Sequence, residues 1–496
     1  MVNVPTKDHR FTINGHTTSN NNTEREDDED VQQPPRLFDF IPCRVVLYLL
    51  SWSGFLVSFV MRNDINIAIV EMVVQPNAPA KEDQFDWSFS VRSIILGAFY
   101  WWYVVAQVAG GVATQRFGTK AVFGWSQLAT AVCSLLIPTA ARIHFGWLVA
   151  LRSIQGFASG LTWPAMYAVV GYWIPPAERS RFMSSFQGFS IGIGLTYPLC
   201  GWIIAHWSWP PVFYTTGTIG VAWCIVWWYL AFNRPSDHPR ITIAERTMIE
   251  EAVADDIRGG YGMSPRWRAI FTSIPAWSIA ITTFGRIWLH YMFIMFGPVY
   301  MNDVLGFDIE TNGILSGAPF LCSYLSAVIF CAIADWLVAH SVSLLLVRKI
   351  FTAVSQVLPG ILIFCIAWSH NQIVVLIMWF VAVSCITAGY AGAMANIIDI
   401  APNLAGPVLA FAQTIHMSAS FIAPIAASAI VTDSRDTSQW MVAFGLATAV
   451  SIVTYLPYLA KAQAQPQPWN FKEDSTKTKD DDDATAPLQD MTNHVA

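Results

Sequence analysis

Three arginines occupy the middle of long apolar segments, where a guanidinium group is costly. Arg62, Arg152 and Arg286 fall in the predicted first, fourth and seventh helices, while the rest of the 28 Lys and Arg residues lie in loops, tails or helix ends. A charge at the centre of a bilayer costs about 2.5–3.5 kcal/mol on insertion scales, so three cost roughly 8–10 kcal/mol. This cost predicts that the arginines face water or a ligand. An unpaired guanidinium binds a carboxylate or a phosphate through two parallel hydrogen bonds.

Polar residues at helical spacing accompany each of these arginines. Side chains three or four positions apart share one face of a helix. The polar stripes are Ser58, Arg62 and Asn66 in the first helix, Arg152, Gln155, Ser159 and Thr162 in the fourth, and Thr282, Arg286 and His290 in the seventh. We therefore predict one central cavity with the substrate-binding residues Arg62, Arg286, Arg152, His290, Asn66 and Ser159. A second interpretation stays open, in which Asp64 or Glu71 neutralises some of the arginines and the pairs only stabilise the fold.

The elements that hold these residues are predicted to be membrane-spanning helices. Only 12% of the 496 residues are charged, against about 25% in an ordinary soluble protein. Apolar stretches long enough to cross a bilayer recur along the chain, and lipid requires them to be helical because it offers the backbone no hydrogen bonds. The twelve predicted helices cover residues 44–74, 91–114, 120–140, 145–171, 180–206, 212–232, 275–301, 311–334, 349–369, 371–396, 405–431 and 439–461.

One long polar connection divides the predicted helices into two sets of six, an arrangement that indicates two pseudo-symmetric bundles. The predicted domains are a disordered tail at 1–40, a six-helix bundle at 41–232, a charged central loop at 233–274, a six-helix bundle at 275–461 and a disordered tail at 462–496. Lys and Arg are concentrated in the loops on the side of the central loop. The excess of positive charge on that side predicts that both termini are cytoplasmic.

Four short segments of the chain form recognisable motifs in a fixed order. They are residues 62–70 (RNDINIAIV), 160–166 (GLTWPAM), 173–180 (WIPPAERS) and 399–402 (DIAP). They resemble the patterns R-x-N-x-x-x-A-I-V, G-V-T-[FY]-P-A, W-x-P-P-x-E-R-S and D-I-A-P of the anion:cation symporter family of the major facilitator superfamily. That family includes sialin, the vesicular glutamate transporters and the sodium–phosphate transporters. The resemblance implies an all-α membrane protein with twelve transmembrane helices in a 6+6 arrangement of two bundles.

The resemblance also implies roles for individual residues. Arg62, Arg152 and Arg286 match positions at which vesicular glutamate transporters carry arginines of the substrate cavity. Ser159 stands where those transporters have the glutamate used for proton coupling. Asp64 stands where the family usually has asparagine, which makes Asp64 the candidate for a replacement coupling group.

A further stretch, residues 111–120 (GVATQRFGTK), resembles the wider superfamily signature G-x-x-x-D-R-x-G-x-K, with Gln115 in place of the acid. The corresponding connection in the second half retains only Asp335. The resemblance implies a gating loop formed by Arg116, Gly118, Lys120 and Asp335. A plain basic turn that follows the distribution of positive charge is the alternative.

Together the motifs and the arginines imply a secondary active transporter of small anions, organic carboxylates such as acidic amino acids or sialic acid, that works by alternating access. The alternatives are a sodium-dependent inorganic phosphate cotransporter and a non-transporting anion sensor on the same fold. The eight cysteines form no C-x-x-C pair, and no P-loop or H-E-x-x-H motif occurs, so we predict no enzyme, no metal site and no cofactor beyond a co-transported Na⁺ or H⁺. We expect a monomer in the plasma membrane or in a lysosomal or secretory-vesicle membrane, with the anion and the bilayer as partners and no nucleic acid.

Overall fold

Helices make up nearly all of the regular structure in the described part of the chain. The computed structural model describes residues 41–471 except 75–82, 176–177, 179–181, 183, 257–265, 370 and 403. The tail predicted at 1–40, most of the tail predicted at 462–496 and four of the eight residues of the 173–180 motif lie outside the described residues.

The described residues of the first half of the molecule, 41–232, include seven α-helices. They are α1 (Cys43–Met72), α2 (Phe89–Phe117), α3 (Thr119–Ile143), α4 (Phe145–Gly160), α5 (Thr162–Trp173), α6 (Gly188–His206) and α7 (Pro210–Leu230). The predicted fourth span is divided into α4 and α5 at Leu161, shortly before Pro164. A proline in a helix removes a backbone donor, which accounts for a break at this place.

Where the structure describes the central connection and the second half, ten α-helices follow. They are α8 (Ile243–Asp256), α9 (Trp267–Thr272), α10 (Ile274–Asp303), α11 (Ile309–Ala339), α12 (Leu344–Trp368), α13 (Gln372–Ile386), α14 (Ala393–Ile400), α15 (Ala405–Met417), α16 (Ala419–Ile430) and α17 (Thr437–Lys461). The predicted tenth span is interrupted by a 3-10 segment at Thr387–Tyr390, and the predicted eleventh span by a break at Ser418.

The helices are long and apolar, as a membrane protein requires. Ten stretches of the described residues are helical and have the length and composition to cross a bilayer. The predicted spans at 145–171 and 212–232 are also helical, but they do not belong to these ten. The prediction of an all-helical membrane protein is therefore confirmed, and the count of twelve spans stays a prediction.

The chain after α17 differs from the predicted start of the C-terminal tail at residue 462. The backbone amide of Gln467 donates to the carbonyl of Ile400 at 2.8 Å, and the side chain of Asn396 donates to the carbonyl of Gln463 at 2.9 Å. Trp469 packs against apolar residues of the second half. These contacts order residues 462–471, because a large aromatic side chain and paired backbone groups offset the entropy cost of fixing a short polar segment.

We call the end of the molecule that contains the central connection the loop side, and the opposite end the far end. The two halves contact each other at the far end. At the far end α6 and α11 approach closely, and a Cβ added to Gly313 would lie 2.6 Å from the carbonyl oxygen of Tyr197. The Tyr197 hydroxyl donates to the carbonyl of Ile294 at 2.8 Å, which joins α6 to α10. Only glycine allows the backbones of two helices to pack at this distance.

Candidate functional site

A cavity of about 300 Å³ lies between the two halves, with walls from both. Of the predicted binding residues, Arg62, Arg286 and His290 line this cavity. Its other polar residues include Gln187, Ser190, Ser323, Thr387, Gln413 and His416, and its aromatic residues are Phe59, Tyr103, Trp163, Tyr167, Phe186, Phe189, Tyr291, Phe320 and Tyr390. The site is thus an aromatic chamber that contains two guanidinium groups.

Arg62 projects from the middle of α1 into a cage of aromatic side chains. Its Nε donates to the hydroxyl of Tyr100 at 3.3 Å, and one terminal nitrogen donates to the hydroxyl of Tyr291. The centroids of the Phe59 and Tyr103 rings lie 4.8 and 4.6 Å from the guanidinium carbon, within the range of a cation–π interaction. Because Tyr291 belongs to α10, this arginine joins the two halves. Among the ion pairs of the described residues, none involves Arg62.

Arg286 enters the cavity from α10 on the opposite wall. The ring centroid of Tyr390 lies 5.6 Å from its guanidinium carbon, and its buried Nε has no hydrogen-bond partner. A Cβ added to Gly389 would lie 2.6 Å from the Cδ of Arg286. The 3-10 interruption that contains Gly389 and Tyr390 therefore makes room for the arginine and places an aromatic ring against it. Within the described part of the chain, no carboxylate pairs with this guanidinium.

Imidazole and amide groups complete the polar part of the lining. The ring of His290 is half-buried and contacts Phe320 edge-on, with 5.9 Å between the ring centroids. His416 is buried, and its Nδ1 has no hydrogen-bond partner. Gln413 also borders the cavity. A buried polar atom without a partner is uncommon in a folded protein, so these groups are suited to hydrogen bonding with a bound solute.

Arg152, which was predicted among the substrate-binding residues in a supporting or coupling role, does not line the cavity. It is buried between α4 and α1, where it donates to Gln155 Oε1 at 2.7 Å and to the backbone carbonyl of Arg62 at 3.3 Å. The Phe99 ring covers its guanidinium at 4.9 Å. Arg152 does not reach the cavity because of the rotation of α4 about its axis. The face of α4 that carries Arg152 is turned towards α1 and α2, so the side chain contacts the backbone of α1 on the side away from the cavity.

Asn66 and Ser159 also lie outside the lining of the cavity. The side chain of Asn66 donates to Asn63 at 3.1 Å and to the Tyr197 hydroxyl at 3.3 Å. The hydroxyl of Ser159 is 3.1 Å from that of Thr130 on α3. Both side chains are buried in contacts between helices. Of the polar stripes, only Arg62 on α1 and Arg286 and His290 on α10 reach the cavity in this conformation. Thr282, the third member of the stripe on α10, donates to Gln356 at 2.8 Å instead.

Asp64 lies on the face of α1 that is turned away from the cavity, in contact with α3 and α7. Its carboxylate accepts hydrogen bonds from Thr216, Ser134 and the amide of Ile65. Asp64 and Arg152 interact electrostatically, but they are not among the direct ion pairs of the described residues. The interpretation in which Asp64 neutralises an arginine therefore applies to Arg152 and not to the two arginines of the cavity.

The predicted gating loop lies on the loop side, between α2 and α3. Gly118 has a positive φ of 80°, which favours glycine, and an added Cβ would collide with Asn233. The same Asn233 accepts a hydrogen bond from the amide of Lys120 at 2.8 Å. Arg116 and Asp335 are exposed, and no ion pair between them is among those that the described residues form. The structure joins Gly118 and Lys120 to the start of the central connection, and their gating role stays a prediction.

The far end is sealed by a buried ion pair between the halves. Arg92 on α2 pairs with Asp303 at the end of α10 at 3.2 Å, and their side chains are only 9% and 4% exposed. Ser434 accepts from Arg92 at 2.9 Å and donates to Asp303 at 2.6 Å. The Phe89 ring stacks on Phe296 across the same boundary. We call Arg92, Asp303 and Ser434 the far-end latch.

Several residues of the site were not identified from the sequence. Tyr100, Tyr291 and Tyr390 contact the two arginines of the cavity, yet they lie among the many aromatic residues of an apolar chain. Asp303 and Ser434 lie at the ends of predicted spans, where polar residues are expected in any case. The one local signal was the spacing of Tyr100 and Tyr103. Residues three positions apart lie on the same face of a helix, and this face of α2 is the one that contacts Arg62.

Comparisons with known proteins agree with this architecture. Residues 47–424 match the model of the Major Facilitator Superfamily. Vesicular glutamate transporter 3 of Danio rerio is 32% identical over 455 residues, covering 88% of this chain and 76% of the relative. Vesicular glutamate transporter 2 of Homo sapiens is 31% identical over 421 residues, covering 83% and 72%.

Solved structures show the same fold at low sequence identity. An inward-facing, occupied bacterial homologue of the human lysosomal transporter Spinster superposes with a TM-score of 0.66 at 11% identity, covering 86% of this chain and 99% of that one. The inward-open xylose transporter of E. coli gives 0.63 at 13% identity, covering 86% and 98%. The chain belongs to the major facilitator superfamily and, within it, to the anion:cation symporter family. It is a multi-pass membrane transporter and not an enzyme.

Proposed function

We propose that this protein is a secondary active transporter of small organic anions that carry a carboxylate, such as an acidic amino acid or sialic acid. One observation supports this most directly. Arg62 and Arg286 come from different halves, line the same cavity and have no acidic partner among the described residues. An anion that binds both would place its negative charge between two buried guanidinium groups and hold the halves together at the same time.

The remaining lining favours an organic anion over inorganic phosphate. Phenylalanine and aliphatic side chains form much of the wall around the two arginines, and these have no hydrogen bonds to offer the outer oxygens of a phosphate. An organic carboxylate presents a carbon body to such walls and one planar charged group to a guanidinium. Gln413, His290 and His416 are available for a second polar substituent on the substrate.

Alternating access follows from the way in which the two halves meet. Among the described residues, the hydrogen bonds between the halves lie at mid-height, at Arg62 and Tyr291, or nearer the far end, at Tyr197 and in the far-end latch. The cavity extends towards the loop side, where Gln187, Met394 and Leu409 line it. If the loop side faces the cytoplasm, as its excess of positive charge predicts, this conformation is closed to the other compartment. Rocking of the two halves about the arginines would then open the far end and close the loop side.

The test uses the purified full-length protein in proteoliposomes. Uptake of labelled glutamate, sialic acid and phosphate would be measured with sodium, pH and voltage varied separately. We expect saturable uptake of a carboxylate, and Arg62→Gln or Arg286→Gln should reduce it at least about 100-fold, because each removes a charge-assisted hydrogen bond within a water-excluded site.

The matched control is Arg142→Gln. Arg142 forms an ion pair with Asp83 in which both side chains are about half exposed, 52% and 44%, so its loss should leave uptake within about twofold. Uptake of phosphate alone would assign the protein to inorganic phosphate transport. Binding of a carboxylate without flux would indicate a sensor and contradict the proposal.

A further inference from the structure

Asp64 lies in a closed polar site between α1, α3 and α7, outside the cavity. The proposed binding of the anion does not use this polar site. The Asp64 residue has no exposed surface. Its Oδ2 accepts hydrogen bonds from Thr216 on α7 at 2.8 Å and from Ser134 on α3 at 3.3 Å. Its Oδ1 accepts from the amide of Ile65 at 2.7 Å. A carboxylate held at this depth is either neutral or compensated by a nearby cation.

The nearby cation is Arg152, and it is connected to the substrate site through the backbone. Arg152 interacts electrostatically with Asp64 from α4 and donates to the carbonyl of Arg62, the residue whose side chain lines the cavity. The other titratable group that faces Asp64 is Cys200 from α6, while Cys133 from α3 and Tyr100 from α2 face Arg152. Among the described residues, Asp64 is the carboxylate that acts on Arg152, and Arg152 and Arg62 act on each other.

Protonation of this carboxylate would change the charge that a bound anion experiences. With Asp64 ionised, the group of Asp64, Arg62 and Arg152 carries one net positive charge; with Asp64 protonated, it carries two. An anion in the cavity is bound more strongly by the second state. By linkage, the bound anion favours protonation of Asp64 to the same extent. Uptake of one anion together with one proton in the same direction requires such a reciprocity.

We propose that Asp64 is the proton-binding site that couples a proton gradient to anion transport. The inference rests on the proposed function of the cavity. The step is a simple association: H⁺ adds to one carboxylate oxygen of Asp64, no other bond breaks, and the proton leaves on the opposite side of the membrane after the anion is released. Ser159, whose hydroxyl bonds to that of Thr130, cannot serve instead, because a serine hydroxyl does not titrate at physiological pH.

The experiment compares the full-length wild type with Asp64→Asn in proteoliposomes held at zero membrane potential. Two quantities are measured: accumulation of a labelled carboxylate driven by a pH gradient, and exchange of labelled for unlabelled carboxylate without any gradient. For one proton per anion, a gradient of one pH unit drives about tenfold accumulation in the wild type. Asp64→Asn should lose this accumulation and the anion-dependent proton uptake that a trapped pH dye reports, while retaining an exchange rate that no longer varies with pH.

A second variant keeps the test decisive if Asp64→Asn does not fold. Thr216→Val removes one donor to the charged carboxylate, so the pH midpoint of proton-driven uptake should move up by ~0.5–1 unit, because a lost hydrogen bond disfavours the ionised form. Thr196→Val is the matched control, since the buried Thr196 hydroxyl bonds only to the Gly192 carbonyl on its own helix, and it should leave the midpoint unchanged.

The outcomes are distinguishable. Wild-type exchange together with proton-driven accumulation that survives in Asp64→Asn would overturn the assignment of Asp64 and leave the anion transporter standing. Accumulation that follows a sodium gradient and is lost in Asp64→Asn would also overturn it, because the coupling ion would then be sodium. Absence of wild-type exchange for every carboxylate would overturn both proposals.

Discussion

The far-end latch should control which side of the transporter is open. Asp303→Asn removes the charge of one partner and leaves the Arg92 guanidinium without a counter-charge in a boundary that is almost closed to water, since its side chain is only 9% exposed. Removing one member of a buried ion pair costs about 3–5 kcal/mol, mainly because the other charge stays buried and unpaired. Ser434 still accepts one hydrogen bond from Arg92, so we use the lower limit of about 3 kcal/mol.

That energy acts on one conformation only. When the halves separate at the far end, Arg92 and Asp303 reach water and the ion pair contributes little. The substitution therefore destabilises the closed far end relative to the open one, and about 3 kcal/mol corresponds to roughly a 150-fold change in the equilibrium constant. A population that is almost entirely closed at the far end would become mixed or mostly open.

A distance measurement between spin labels would report the change. Trp207→Cys after α6 and Ile373→Cys on α13 place labels on opposite halves at the far end, and both native side chains are exposed, 65% and 68%. The native exposed thiols, Cys322 and Cys365, would be replaced by serine first. Asp303→Asn should broaden or lengthen the distance distribution.

The matched control is Asp83→Asn, which breaks the exposed ion pair with Arg142 and should leave the distribution unchanged. An Asp303→Asn distribution that coincides with the wild type would refute the reasoning, because the ion pair would then have no influence on the balance between conformations. Exchanging the two charges, Arg92→Asp with Asp303→Arg, should restore part of the closed population.

Two further predictions concern packing and pH. Gly156→Ala should destabilise the first half by about 1–3 kcal/mol or more, because a Cβ at Gly156 collides with the Phe99 carbonyl oxygen on α2. Thermal unfolding in detergent would measure the loss. Gly171→Ala is the control, because a Cβ added to Gly171 meets nothing within 4 Å. Burial lowers the pKa of His238 in the central connection. The unfolded chain therefore binds more protons than the folded protein, and the stability of the folded protein should fall as the pH drops below about 6.5. His238→Gln should show a smaller loss of Tm between pH 7 and pH 5 than the wild type, and an unaltered pH dependence of Tm would contradict this role of His238.

Much of the fold was predictable from the sequence because membrane insertion depends on local composition. A bilayer selects apolar stretches of a fixed length, and it penalises each charge within them. This is why the helical segments, the long connection between two sets of helices and the unusual positions of Arg62, Arg152 and Arg286 could be identified without coordinates. The same penalty explains why the three arginines were expected to have a purpose, although it does not state which one.

The tertiary structure decided which polar residues meet. Arg62 and Arg286 reach one cavity, whereas Arg152 contacts the back of α1, because the rotation of each helix about its axis depends on packing against distant neighbours. The 3-10 break beside Arg286 and the pairing of Arg92 with Asp303, 211 residues away, are likewise set by contacts between elements. Local sequence determined that charges enter the membrane, and only the assembled helices determined whether each charge faces a cavity, a carboxylate or another helix.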